Sequence, residues 1–244
     1  MQDRYAGDIG DYGKLALLRE IEAQGLKLGI NWYRTETAGF ETHEDGKYRI
    51  PERFEACAPA LAAALNAIFD DRAGRSVQKL ECAGLLNCRL FVDEFVPRSA
   101  SERLDWHRRA LKRLEKCDLV FLDPDNGLNV ESVRPGSRKS VKYVWQHEIA
   151  AYVFAGKSVI FYNHRPRQKP GVYFPAYSAR LASLGKPVHV MTFPRRSVRD
   201  YFIIPASPEH EKRICAAMER MATGPFGQAG FCCAQPDTVF SALI

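Results

Sequence analysis

The segment from Asp118 to Leu128 reads Asp-Leu-Val-Phe-Leu-Asp-Pro-Asp-Asn-Gly-Leu, an apolar, β-favouring run that passes without a spacer into Asp123, Pro124, Asp125 and Asn126. That pattern predicts a buried strand whose carboxyl end opens onto a turn bearing two carboxylates and an amide. In open α/β sheets ligands sit just outside the carboxyl ends of the strands, so this turn stands where chemistry is done. Any single Asp, Asn or Gly here would be read as a turn former; their concentration at one strand end is what singles the turn out. Two other segments carry reactive groups. Tyr5-Ala6-Gly7-Asp8-Ile9-Gly10-Asp11-Tyr12-Gly13-Lys14 combines two carboxylates, three glycines and an ammonium. Asn163-His164-Arg165-Pro166-Arg167 follows a second apolar run and offers an amide, an imidazole and two guanidiniums, groups suited to phosphate.

The chain of 244 residues is 46% hydrophobic and 26% charged, which is enough apolar content for a large core. No apolar run approaches the length of a membrane span, and Met1-Gln2-Asp3-Arg4 lacks the basic-then-apolar pattern of a secretory signal, so a cytoplasmic protein is expected. The seven cysteines are odd in number and form no C-x-x-C pair, which fits reduced thiols better than a disulfide framework or a zinc site. Net charge is +6 and locally concentrated, with seven Lys/Arg between Arg98 and Lys116 and four between Arg134 and Lys142. Basic clusters of this kind attract polyanions, of which nucleic acid is the usual one.

The remaining elements must position these groups. A helix is expected from the opening segment to about residue 24, with Leu15, Leu18 and Ile21 inward, Asp11 as its cap and Gly25 as its stop. Residues 28–33 form the first strand, 34–49 are polar with a turn at Asp45-Gly46, and 51–69 form an amphipathic helix. Two short β segments, 76–82 and 89–95, lead to a basic helix over 101–116, capped by Ser101 and buried through Leu104, Leu111 and Leu114. After the Asp123 turn come a basic loop, a helix over 141–154, a strand at 157–162 and a helix through Tyr173 and Leu184. Strands at 187–193 and 199–205 are joined by so short a link that they must run antiparallel. A helix capped by Ser207 and a strand within 231–241 follow. This alternation predicts a three-layer α/β sandwich with a Rossmann-like, mostly parallel sheet that ends in an antiparallel β-hairpin. Residues 34–75 are expected to be an insertion or cap on a single domain.

A sheet of that kind, with an Asp-Pro turn on a central strand, resembles the class I S-adenosylmethionine-dependent methyltransferases. Two motifs are similar to the members that methylate adenine amino groups. Their catalytic turn is Asp or Asn, Pro, Pro and an aromatic residue, and Asp123-Pro124-Asp125-Asn126 stands in that place. Ala6 to Lys14 is similar to the opening A-G-N-H-A-D-V-L-K of the RlmJ-type ribosomal-RNA adenine-N6 methyltransferases, with the Ala-Gly pair, Asp11 and Lys14 in register. The resemblance implies S-adenosylmethionine as cofactor, bound by Tyr5, Gly7, Asp8, Asp11, Lys14 and Trp32. It implies a base of RNA or DNA taken out of its stack as substrate, met by Tyr162, Asn163, His164, Arg165 and Arg167. The Asp123 carboxylate and Pro124 carbonyl would orient the amine, with Asp125 and Asn126 completing the catalytic turn. The turn departs from the family pattern at Asp125 and Asn126. The first strand is followed by Arg34-Thr35-Glu36-Thr37-Ala38-Gly39 rather than an acidic, glycine-rich turn.

Two other readings use the same residues. Asp123 and Asp125, with Asp8, Asp11 or Asp45, could hold Mg²⁺ in a nuclease or phosphoesterase, with Asn163-His164-Arg165 on the phosphate. Alternatively the chain is a catalytically inactive nucleic-acid-binding module on the same scaffold.

Overall fold

Short apolar runs buried on both faces build the centre of the sheet. The computed structural model describes residues 1–36, 46–195 and 197–234. Its strands are β1 (Leu28–Asn31), β2 (Phe91–Val92), β3 (Leu119–Leu122), β4 (Gly127–Leu128), β5 (Tyr143–Val144), β6 (Ser158–His164), β7 (His189–Arg195), β8 (Ser197–Ile204) and β9 (Cys232–Ala234). Its helices are α1 (Ile9–Ala23), α2 (Glu52–Glu55), α3 (Pro59–Asp70), α4 (Val77–Cys82), α5 (Ala100–Arg113), α6 (Gln146–Phe154), α7 (Pro170–Leu181), α8 (Pro208–Thr223) and α9 (Pro225–Gln228). The main sheet has the order β2-β1-β3-β6-β8-β7-β9, and β4 pairs with β5 beside it. Neighbours β2, β1, β3 and β6 are parallel, whereas β8 is antiparallel to both β6 and β7. The expected hairpin therefore exists, but its return strand lies inside the sheet between β6 and β7 rather than at the end. β9 forms the antiparallel edge.

The strands alternate in which face they serve, as a period of two requires. Leu119 and Phe121 of β3 join Ile30, Ile160, Tyr201 and Ile203 in a core that takes in residues of α1, α3 and α8. Val120 and Leu122 join Val159, Phe161, Phe202 and Ile204 in a second core that takes in α5, α6 and α7. These cores on the two sides of the sheet make the three layers. Phe121 and Phe161 are fully buried, and each contributes on the order of 1.5–3 kcal/mol of apolar transfer. Among the described residues no helix is long and apolar enough to cross a membrane.

Several elements differ from expectation for identifiable reasons. Residues 77–82 form a helix, not a strand, because the Ser76 hydroxyl caps Lys79 N and Val77 and Leu80 bury at a spacing of three. Asp8, not Asp11, caps α1, with Oδ1 accepting from Gly10 N and Asp11 N. The 51–69 helix breaks at residues 56–58, where Pro59 starts a new first turn. Helix α5 begins after Ser99, and Ser101 lies within it; it buries Arg103, Trp106, His107 and Ala110 while Leu104 is 47% exposed. Arg103 turns inward because Glu148 and the carbonyls of Ser140 and Tyr143 all accept from it. Residues 143–144 are a strand because Gly127 and Leu128 recruit them as a partner, so α6 starts only at Gln146. Asp45 and residues 235–241 of the expected final strand lie outside the described residues.

Candidate functional site

The turn after β3 is held from both sides. Asp123 N donates to Asn31 O, extending the β1–β3 pairing by one step. Asn126 N donates to Lys142 O, and Leu128 N to the Asn163 side chain at 2.9 Å. Gly127 has φ of +103°, and a Cβ there would fall 2.0 Å from Asn163 Oδ1, so only glycine lets β4 lie this close to β6. Asn163 is itself buried and donates to Tyr173 Oη at 2.7 Å.

Across the turn stands the start of α1. Lys14 Nζ lies 2.5 Å from Asp123 Oδ2 and 2.7 Å from Asp11 Oδ1, with all three side chains no more than 6% exposed. Its ammonium also sits 5.6 Å from the centre of the Trp32 ring. Two carboxylates thus share one cation in a dry setting. Burial raises the Asp123 carboxyl above its usual range despite the attraction of Lys14, and it raises Asp11 with Asp8 adding to the effect. Burial opposes the charge on Lys14, but Asp11 and Asp123 outweigh it and push the ammonium's pKa up. The lysine is therefore held protonated, while burial pulls both carboxyls toward their neutral forms.

Asp125 is bound differently. Its Oδ1 is 2.8 Å from the Met1 ammonium, and its Oδ2 accepts from Gln2 Nε2 at 2.7 Å and Thr35 Oγ1 at 3.0 Å. Burial favours the neutral carboxyl, but the Met1 ammonium, Gln2 and Lys142 overcome it and hold the carboxyl below its usual range. The same ammonium donates to the carbonyls of Tyr33 and Asp123 at 3.0 Å each.

These groups line one cavity of about 350 Å³, within the size range of small-molecule sites. Its acids are Asp8, Asp11, Asp123 and Asp125; its aromatics are Tyr5, Tyr143 and Tyr162; its cationic groups are Lys14, Lys139, Lys142 and Arg199, with His164 beside them. Gly10 also lines it, and a Cβ there would meet Arg199 Nε at 2.8 Å, so the glycine admits that guanidinium.

Of the residues singled out in the sequence, Tyr5, Asp8, Asp11, Lys14, Asp123, Pro124, Asp125, Asn126, Tyr162 and His164 meet at this cavity. The others do not line it. Gly7 donates to Asp11 Oδ2 and packs on α3, and Trp32 is buried behind Lys14 with its indole N–H on Glu81. Asn163 supports the turn from behind. Arg165 forms a two-pronged ion pair with the fully buried Asp200, and Arg167 is exposed outside the cavity lining. Lys139, Lys142, Tyr143, Arg199 and Met1 were not foreseen. The first three fall in or beside the 134–142 basic run, which did give a signal; Arg199 arrives through its pairing with His164 across β8 and β6.

Sequence comparison adds no relative to this geometry. No family model matches the chain, and no curated protein matches it significantly. The site must therefore be judged on its own residues. Among the described residues no group of three or more His, Cys, Asp and Glu could hold a metal ion. The ammonium groups of Lys14 and Met1 already sit against Asp123 and Asp125, and a cation there would compete with them. Of the residues that the resemblance gives to S-adenosylmethionine, Tyr5, Asp8, Asp11 and Lys14 line the cavity, whereas Gly7 and Trp32 do not. At the end of β1, Trp32 and Tyr33 are buried, Tyr33 has φ of +47°, and Met1 and Gln2 fill the space between that end and the Asp123 turn.

Proposed function

We propose that the cavity receives a base of a nucleic acid and reads its amino-bearing edge. The observation that carries this is the Asp123–Lys14 pair. A carboxylate beside an ammonium presents an acceptor next to a donor. That is the complement of an exocyclic amine beside a ring nitrogen, an edge shared by adenine and cytosine. Asp123 Oδ2 is taken by Lys14, and Oδ1 is the oxygen assigned to the base. Tyr5, Tyr143 and Tyr162 supply faces for stacking, and Lys139, Lys142 and Arg199 supply positive charge for phosphate. On this reading the chain is a base-recognising module on a methyltransferase-like scaffold.

Calorimetric titration with CMP and UMP tests the reading, because the two differ in having an amine or a carbonyl at the edge in question. CMP is expected to bind roughly 10–100-fold more tightly, the worth of a hydrogen bond to a charged group. Equal binding, or no change in the ratio on Asp123→Asn, refutes it.

A second reading, methyl transfer to that amine, is favoured by the place of the Asp123-Pro124 turn at the carboxyl end of a central strand. Its cofactor is the difficulty stated above. A rise in melting temperature with S-adenosylmethionine and S-adenosylhomocysteine supports transfer. Base binding without that rise leaves the binding module.

A further inference from the structure

A second cavity of about 200 Å³ lies between α5, residues 135–140 and the start of α6. Leu104, Trp145, Pro135 and Ala100 give it a largely apolar lining. His107 lines it too, only 5% exposed, and neither of its ring nitrogens has a hydrogen-bond partner. Buried polar atoms are paired in nearly all proteins, so a doubly orphaned imidazole facing a cavity marks a place for a partner. The ring is held edge-on against Tyr152 at 5.2 Å. Burial, reinforced by His147 and Arg103, outweighs the pull of Glu148 and keeps the imidazole below its usual pKa, hence neutral, with one donor and one acceptor.

The lining also says which ligands do not belong. Arg103 spends its donors on Glu148 and on the carbonyls of Ser140 and Tyr143, so this buried ion pair has satisfied itself. Arg98 and His147 line the cavity as well but are exposed, so an ionic ligand would find no free charge in its buried part. Metal is no better suited, since among the described residues no group of three or more His, Cys, Asp and Glu could hold an ion, and Glu148 is already paired with Arg103. Size narrows the choice further: an apolar cavity of roughly 150 Å³ accommodates benzene, so this one takes a substituted single ring or a fused pair.

We propose that this cavity binds a small, neutral aromatic molecule bearing one hydroxyl or ring N–H, phenol-like or indole-like, which packs on Trp145 and Leu104 and hydrogen-bonds His107. The site is independent of the base reading, yet it shares a wall with it. Lys139, Lys142 and Tyr143 line the first cavity, and Ser140, Trp145 and Glu148 line the second. An occupant of the second therefore touches the segment that bears two of the first cavity's lysines.

Titration of the whole chain with phenol, indole and toluene, followed by calorimetry and by the Trp145 indole resonance, tests this. Toluene matches phenol in shape and is the more hydrophobic, so apolar burial alone would favour it. The expected result is phenol and indole binding at one site, phenol about tenfold tighter than toluene, and loss of that preference in His107→Leu. Toluene binding as well as phenol in the wild-type chain overturns the proposal, as does the absence of both heat and a Trp145 shift. The phenol–toluene comparison needs only the wild-type chain, so it decides even if His107→Leu does not fold.

Discussion

Replacing Lys14 with Met removes the ammonium shared by Asp11 and Asp123 while keeping most of the side chain's bulk. The distances of 2.7 and 2.5 Å and the burial of all three groups leave little solvent to take over. Breaking a buried pair by deleting one partner costs about 3–5 kcal/mol, because the remaining charge is stranded in a low dielectric. Two carboxylates are stranded here, which places the expected loss at the upper end, roughly 4–5 kcal/mol. At ~2–4 °C per kcal/mol for a chain of this size, the melting temperature falls by roughly 8–20 °C at pH 7. The loss depends on pH in a fixed direction. Burial already raises both carboxyls, and without Lys14 the folded state binds their protons still more tightly than the unfolded chain does. The variant's deficit is therefore largest at pH 7 and shrinks as pH falls toward the unfolded carboxylate value of about 4. Urea unfolding at pH 7 and pH 5, read by tryptophan fluorescence, measures it. Adding Asp123→Asn to Lys14→Met should restore part of the stability, since a single carboxylate remains. A deficit below about 1 kcal/mol, the range of exposed pairs, or one identical at both pH values, refutes a dry triad.

Three further outcomes follow from neighbouring contacts. Gly127→Ala should cost about 1–3 kcal/mol by thermal unfolding, because φ of +103° and the Asn163 side chain both resist a Cβ. Arg103→Met strands Glu148, 1% exposed, and should lower stability by about 3–5 kcal/mol in urea; a loss under about 1 kcal/mol would mean that Glu148 finds water. Asp125 has a lowered folded pKa, so its stabilisation is present above the unfolded value of about 3.9 and fades as pH falls through the folded one. The stability gap between wild type and Asp125→Asn should accordingly hold from pH 7 to pH 5 and close in stronger acid.

Much of this arrangement was legible in the residue pattern because local and global signals agreed. The run from 119 to 122 is apolar throughout, and its four residues are buried on both faces of the sheet, as a central parallel strand requires. The Asp123 turn and the Asp8–Lys14 segment were separable as reactive clusters, and they meet at one cavity. What stayed hidden depended on partners distant in sequence. Arg199 reaches the site only because β8 inserts next to β6 in one register, a choice no local pattern fixes. Arg165 looked like a phosphate ligand until Asp200, 35 residues on, claimed it. Leu104 had the spacing of a buried residue, yet Arg103 faces inward because three acceptors await it. Ser76 and Val77 through Cys82 read as a strand by composition, and the cap decided otherwise.

The most direct test of the account is a crystal structure of the chain with CMP or a short cytosine-containing single strand. The predicted result is a base in the cavity between the Asp123 turn and the start of α1, its amine about 3 Å from Asp123 Oδ1 and its ring against one of the three tyrosines. A base bound elsewhere, or in this cavity with its amine turned away from Asp123, contradicts it.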